Sequence, residues 1–298
     1  MTVPVVKFRV GDAIVTRVFE MALTSLTPEF LYPDWDPFAL TDHETWLALG
    51  AAPAGRREVG LFVNVWAVEL DGRVVLVDTG IGNAKERPFN QLFDHLDTPF
   101  LARLDAAGIA PEAVGHVLHT HLHTDHVGWN TRRAGTRWVP TFPNAVHVFP
   151  AAERDYYATP AGERRRVVFE DSVLPLIEAG RALAFDDGDA PDLDGFRLLP
   201  TPGHSVGHHC VALSARGAEA VFSGDVMHNP VQVHHPHWNS AFCADAAMAR
   251  ASRRLLLEYA AERDAVLFPP HFPETSAGRV SRRGDGFAWR YLDPDVTV

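Results

Sequence analysis

His119-Thr120-His121-Leu122-His123-Thr124-Asp125-His126 puts four histidines and a carboxylate within eight residues, directly after the apolar run Val114-Gly115-His116-Val117-Leu118. A strand that delivers into a short loop aims His121 and His123, two residues apart, at one point, and the following turn aims Asp125 and His126 at a neighbouring one. Imidazole at this density points to metal, and two adjacent ions are the natural reading. Imidazole suits zinc and iron-group ions, and a single carboxylate among imidazoles makes the second position harder than the first. The competing explanation is a surface patch, or core imidazoles bonded to backbone carbonyls. Neither accounts for a cluster that follows a β-rich apolar run and ends in Asp-His-Val-Gly.

A catalytic ion needs about three protein ligands plus water, so a pair of ions needs further groups from distant segments. Three later stretches supply them, each an apolar strand followed at once by a ligand-type side chain: Thr201-Pro202-Gly203-His204, Ser223-Gly224-Asp225 and Phe268-Pro269-Pro270-His271. Glycine or proline stops each strand and turns the next residue toward a common edge. Any one of these is an ordinary turn; together with the cluster they complete two ion sites. His121, His123 and His204 give one ion three imidazoles, Asp125, His126 and His271 serve the other, and Asp225 can bridge with one oxygen on each. Two ions roughly 3.5 Å apart lower the pKa of a shared water toward neutrality and polarise a carbonyl or phosphoryl oxygen.

The rest of the chain is that of an ordinary globular protein. With 298 residues, 46% hydrophobic, it can bury a full core. A net charge of −11 disfavours nucleic acid and anionic membrane surfaces as partners. The start, Met1 to Lys7, has no basic region leading into a long apolar segment, which points to a cytoplasmic chain without processing. The two cysteines, Cys210 and Cys243, read as small buried hydrophobes in a reducing compartment. No linker composition appears, so residues 1–298 are expected to form a single domain.

Residues 5–10 and 13–18 alternate as strands around a Gly-Asp turn, whereas 21–58, with scattered prolines and tryptophans, reads as a long irregular insertion that forms a lid or pocket wall. Strands are expected at 61–68, 74–77, 114–119, 196–199, 210–213, 220–222 and finally 265–268. Helices are expected near 99–107, at 151–158, at 163–179, and from an Asp245 cap to about Glu262.

The order of these groups resembles that of the metallo-β-lactamase superfamily, over roughly residues 60–275. The H-x-H-x-D-H motif stands as His121 to His126, the third histidine as His204, the bridging aspartate as Asp225 and the last histidine as His271; Asp78-Thr79-Gly80 resembles the superfamily's early D-T-G, which supports the site from behind. The resemblance implies a four-layer αββα sandwich of two mixed sheets with helices outside and the dinuclear site at one edge. It assigns nothing to His119, His208, His209, His228, His234, His235 or His237. His119 and His208 either orient ligands or bond to backbone groups, and the run 226–238 either lines the substrate pocket or faces solvent.

Within that superfamily the bridging Asp225 and the lack of an export signal set the chain apart from class B β-lactamases. The acidic charge sets it apart from the nucleases, and His123 from the flavodiiron branch, where glutamate is typical. The long N-terminal region, segment 226–245 and the aromatic tail 284–291 resemble the lactonase and methyl-parathion-hydrolase side. The expected activity is hydrolysis of a lactone or related ester through a metal-bridging hydroxide. Asp125 would hold the hydroxide and pass its proton to the leaving alkoxide. Zinc is the first choice of metal, with manganese, cobalt or iron as alternatives. The expected substrate is small and apolar, and a homodimer is compatible with the sequence. An organophosphate or aryl-ester hydrolase is the alternative enzyme, and a non-catalytic metal-containing binding protein the alternative of another kind. Lactonases of this type also use a tyrosine near the site, for which Tyr156 and Tyr157 are the candidates.

Overall fold

Strands covered on both faces read as continuous apolar runs, and such runs build two mixed sheets in the computed structural model, which describes residues 4–36 and 59–294. The strands are β1 (Val6–Val10), β2 (Ala13–Leu26), β3 (Val59–Leu70), β4 (Arg73–Val77), β5 (Val114–Leu118), β6 (Thr131–Ala134), β7 (Arg137–Pro140), β8 (Val146–Pro150), β9 (Ala182–Phe185), β10 (Phe196–Pro200), β11 (His209–Ala215), β12 (Ala218–Phe222), β13 (Val266–Phe268), β14 (Gly278–Arg283) and β15 (Gly286–Tyr291). One sheet runs β1-β2-β3-β4-β5-β8-β9, the other β10-β11-β12-β13-β14-β15, and β6 pairs with β7 alone. Parallel pairing joins β4, β5, β8 and β9 in the first sheet and β12 with β13 in the second.

Side-chain alternation then dictates the layers. Trp66 and Val68 of β3 and Val211 and Leu213 of β11 meet between the sheets, together with Phe8, Phe222 and Phe268. The intervening Val65 and Ala67 face α2 (Phe100–Ala106), which follows α1 (Pro28–Leu31). Further along the chain come α3 (Thr124–Val127), α4 (Ala151–Tyr156), α5 (Arg166–Ser172), α6 (Leu174–Glu178), α7 (Val231–His234) and α8 (Ala246–Arg263). Cys210 and Ala212 of β11 pack outward with Leu256, Leu257 and Ala260 of α8, completing the expected αββα order. Asp245 caps α8 as its sequence implies, accepting from the N–H groups of Ala247 and Met248 at 2.9 Å each.

Three expectations need correction. Residues 21–26 are not the start of an irregular insertion: β2 continues to Leu26 and pairs Met21 with Val63 and Leu23 with Leu61. Register shifts between Phe19 and Met21 and between Leu23 and Leu26 break the period-two pattern that would have revealed the strand. Thr27 then caps α1; the remainder of the expected lid, 37–58, lies outside the described residues. The expected helix over 163–179 is divided into a 3-10 turn at Glu163–Arg165, α5 and α6. Pro175 cannot donate to the carbonyl of Asp171, and that carbonyl instead accepts from the buried Lys85 Nζ at 3.1 Å and from Thr131 Oγ1. Finally, β13 is not the last strand. The tail forms the β14–β15 hairpin, whose Phe287 and Trp289 are buried beside Phe272 as core.

Trp66 sits at the centre of the inter-sheet core, edge-on to Phe268 with ring centroids 4.8 Å apart. Trp66→Ala is expected to cost about 3–5 kcal/mol, read as a lower urea midpoint with an unchanged slope; a loss below about 1 kcal/mol would show that the sheets close over the gap.

Candidate metal centre

Five strand ends converge on one edge. Asp78 follows β4, the histidine cluster follows β5, His204 follows β10, Asp225 follows β12 and His271 follows β13. Carboxyl ends of strands are where such sheets place ligands, because the chain there is free to turn.

All seven residues expected from the sequence meet at this edge. Donor atoms of His121, His123, His204 and Asp225 lie within 4.8 Å of one another, as do those of Asp125, His126, Asp225 and His271. Asp225 belongs to both sets, one oxygen to each. Its Oδ2 is 3.2 Å from His204 Nε2 and 3.9 Å from His121 Nε2, while its Oδ1 is 3.0 Å from His126 Nε2 and 2.9 Å from His271 Nε2. Asp125 Oδ2 is 3.7 Å from His271 Nε2. The buried atoms His121 Nε2, His126 Nε2 and Asp225 Oδ1 have no hydrogen-bond partner among the described residues. Leaving such atoms unpaired is costly, and their lone pairs converge as a divalent cation requires. The donor set of imidazoles and carboxylates therefore fits two metal ions.

Groups behind the donors aim them. Asp78 adopts a left-handed backbone (φ 58°), tolerable for aspartate, and its carboxylate accepts from Thr120 N–H at 2.9 Å, Thr120 Oγ1 at 2.8 Å and His126 Nδ1 at 2.8 Å. Burial alone would push the Asp78 carboxyl up; the imidazoles of His126 and His119 outweigh it and hold it well below the usual range. His126 thus keeps its proton on Nδ1 and turns Nε2 to the site. His271 Nδ1 donates to Phe62 O at 2.7 Å, with the same result.

Of the unassigned histidines, His208 is an orienting group. Burial pushes it down to about 3, so the ring is neutral; its Nε2 accepts from Asp225 N–H at 3.0 Å and its Nδ1 bonds Thr201 Oγ1 at 2.9 Å. Gly224, at φ 48°, permits this approach, since a Cβ there would lie 2.5 Å from His208 Nε2 and 2.8 Å from Thr120. His119 is buried 3.7 Å from Asp78 and pairs instead with His147 at 3.3 Å. His228 faces the site: its Nε2 is 3.3 Å from Asp225 Oδ2, its ring stacks over His271, and Phe242 lies beside it. His209 bonds Gly207 O, and His235 and His237 pack around Trp238; none of these joins the donor sets. Tyr157 is buried with its hydroxyl on Leu122 O, so it is tied to the ligand loop and not presented to a substrate.

Sequence reasoning missed Glu20. Its buried carboxylate accepts from Ile81 N–H (2.6 Å), Gly82 N–H (3.1 Å), Trp129 Nε1 (2.7 Å) and Thr98 Oγ1 (3.2 Å), and so fixes the loop that follows Asp78. The available signal was a lone acid inside the apolar run Val18-Phe19-Glu20-Met21.

Asp78→Asn removes the charge that fixes the His126 tautomer. Metal affinity of the donor set containing His126 is expected to fall about 10–100-fold in a chelator competition, with the circular dichroism spectrum unchanged; unaltered affinity would refute the orienting role.

Comparison with known proteins places the chain in a family. Residues 59–271 match the family model of the metallo-beta-lactamase superfamily. A probable metallo-hydrolase of Mycobacterium tuberculosis is 29% identical over 196 residues, covering 57% of this chain and 58% of that protein. An N-acyl homoserine lactonase of Bacillus cereus is 26% identical over 162 residues, covering 50% and 58%. The chain thus spans just over half the length of these relatives. A solved dizinc quorum-quenching lactonase, AidC, shares the fold with a TM-score of 0.78 at 19% identity, covering 97% of each chain. With the family model spanning more than half of its length, this chain belongs to the metallo-beta-lactamase superfamily.

Proposed function

We propose that the protein is a dinuclear metal-dependent hydrolase that opens a lactone or cleaves a related carboxylic ester. The observation that carries this reading is the division of Asp225 between two donor sets, one oxygen facing each. His121, His123, His204 and Asp225 would hold one ion and Asp125, His126, His271 and Asp225 the other, zinc first, with manganese, cobalt or iron as alternatives. Two ions so held supply Lewis acidity and a water that ionises near neutral pH.

Asp125 is the least buried carboxylate of the site, 20% exposed at its side chain, and thus open to a bound substrate. It can take the proton of an attacking water and return it to the leaving alkoxide. His228 lies against the same centre, its Nε2 3.3 Å from Asp225 Oδ2. The exposed rings of Phe242 and Phe30, edge-on at 6.1 Å, support a small apolar substrate. The N-acyl homoserine lactonase relative favours a lactone over an aryl ester or a phosphotriester. Both cysteines are unpaired, which suits the reducing cytoplasm. Among the described residues no helix is long and apolar enough to cross a membrane.

Elemental analysis of the purified protein is expected to find two ions per chain, with turnover of γ- or δ-lactones that chelation abolishes and metal restores. Absence of metal would overturn the site, and turnover confined to a phosphotriester or aryl esters would move the assignment to the alternative hydrolase. Asp225→Ala should loosen both ions, whereas His204→Ala should preferentially empty the first; equal metal content in both variants and wild type would sink the ligand assignment. Asp125→Asn should lower kcat about 10²–10⁴-fold if Asp125 carries the proton.

A further inference from the structure

Three of the five donor histidines anchor an outer ring nitrogen on a neighbouring group: His126 on Asp78, His271 on Phe62 O, and His121 on Thr120 Oγ1 at 3.0 Å. His204 does not; its Nδ1 is buried and has no hydrogen-bond partner among the described residues. Its placement therefore depends on the backbone of its own loop. That loop is stiff, closed by Thr201 N–H on His208 O at 2.9 Å and joined to the histidine cluster by His209 N–H on Thr120 O at 2.8 Å.

One buried side chain spans from this loop to the backbone between the other two histidines of the first donor set. Glu153, in the first turn of α4 and 3% exposed, accepts from Leu122 N–H through Oε2 at 3.1 Å and from Gly207 N–H through Oε1 at 2.7 Å. Leu122 separates His121 from His123, and Gly207 lies three residues after His204. One turn later, at the C-cap of α4, Tyr157 donates its hydroxyl to Leu122 O at 2.5 Å, so both backbone polar groups of Leu122 end on α4 and its cap. The helix and the His204 loop lie flush: a Cβ on Gly207 would sit 3.1 Å from Ala152 Cβ, 3.2 Å from Pro150 Cβ and 3.3 Å from Glu153 Cγ.

We propose that Glu153 is a positioning residue that sets the spacing of His121 and His123 against His204, and with it the affinity for the first ion, while leaving the second ion to Asp78. Tyr157 assists through the carbonyl of the same residue, Leu122. An acidic residue in the first turn of a helix ordinarily interacts with that helix's own N–H groups; here both oxygens are spent on the two ligand loops. The inference rests on the ligand assignment made above.

The test is metal stoichiometry and chelator competition on the full chain, with zinc and with cobalt, whose absorption spectrum distinguishes the two sites. Wild type is expected to bind two ions. Glu153→Ala should hold the second ion as wild type does and bind the first about 10–100-fold more weakly. Glu153→Gln, which keeps one acceptor oxygen, should fall between, and Tyr157→Phe should show a smaller loss at the same ion. The cobalt spectrum of Glu153→Ala at limiting metal should match that of His204→Ala, and the double variant should lose no more of the first ion than His204→Ala alone. Equal weakening of both ions, or none, in Glu153→Gln and Tyr157→Phe would overturn the positioning role while the two-ion assignment stands. A wild type that binds fewer than two ions would overturn the ligand assignment and this inference with it.

Discussion

Burying the carboxylate of Asp225 costs on the order of several kcal/mol of lost hydration unless compensating groups surround it, and the edge of the sandwich is arranged around that cost. Burial would raise the carboxyl, but the imidazoles of His126, His271, His204 and His228 hold it well below the usual range. The donor nitrogens are themselves crowded; His204 Nε2 and His123 Nδ1, for example, are 2.9 Å apart. Divalent cations between them would reconcile the anion with the lone pairs. Every orienting contact behind the site serves that arrangement. Asp78 turns His126, Phe62 O turns His271, and neutral His208 turns the Asp225 backbone.

Much of this was legible in the residues. A two-residue spacing after a strand, followed by Asp-His, has few physical uses besides metal, and strand-then-ligand punctuation marked His204, Asp225 and His271 without knowledge of the sheets. The layers were legible for a related reason: strands such as β11, covered on both faces, carry apolar side chains in both phases. What escaped notice depends on contacts between distant segments. Glu20 and Glu153 look in sequence like an odd strand residue and an ordinary first-turn acid, and their roles exist only once loops fold over them. The bulges of β2 hid its last residues, and Trp289 stayed undecided between core and pocket because aromatic character alone does not say which side of a sheet it faces. His228 stood among several histidines after Asp225, and only the short 3-10 turn at Gly224–Val226 brings it, and not His235 or His237, back over the carboxylate.

The donors do not come from one sheet. The histidine cluster hangs from β5 of the seven-stranded sheet, whereas His204, Asp225 and His271 hang from β10, β12 and β13 of the six-stranded one. An ion held by both groups is therefore a cross-link between the two halves of the sandwich, placed at the rim, where the apolar layer between them gives way to polar loops. Its binding energy belongs to the cohesion of the sheets as well as to chemistry, and by mass action it grows with free metal, by about 2.7 kcal/mol at a hundredfold excess over the dissociation constant. With metal held in this way, resistance of the protein to heat and proteolysis would follow the metal supply of its surroundings as well as its own core.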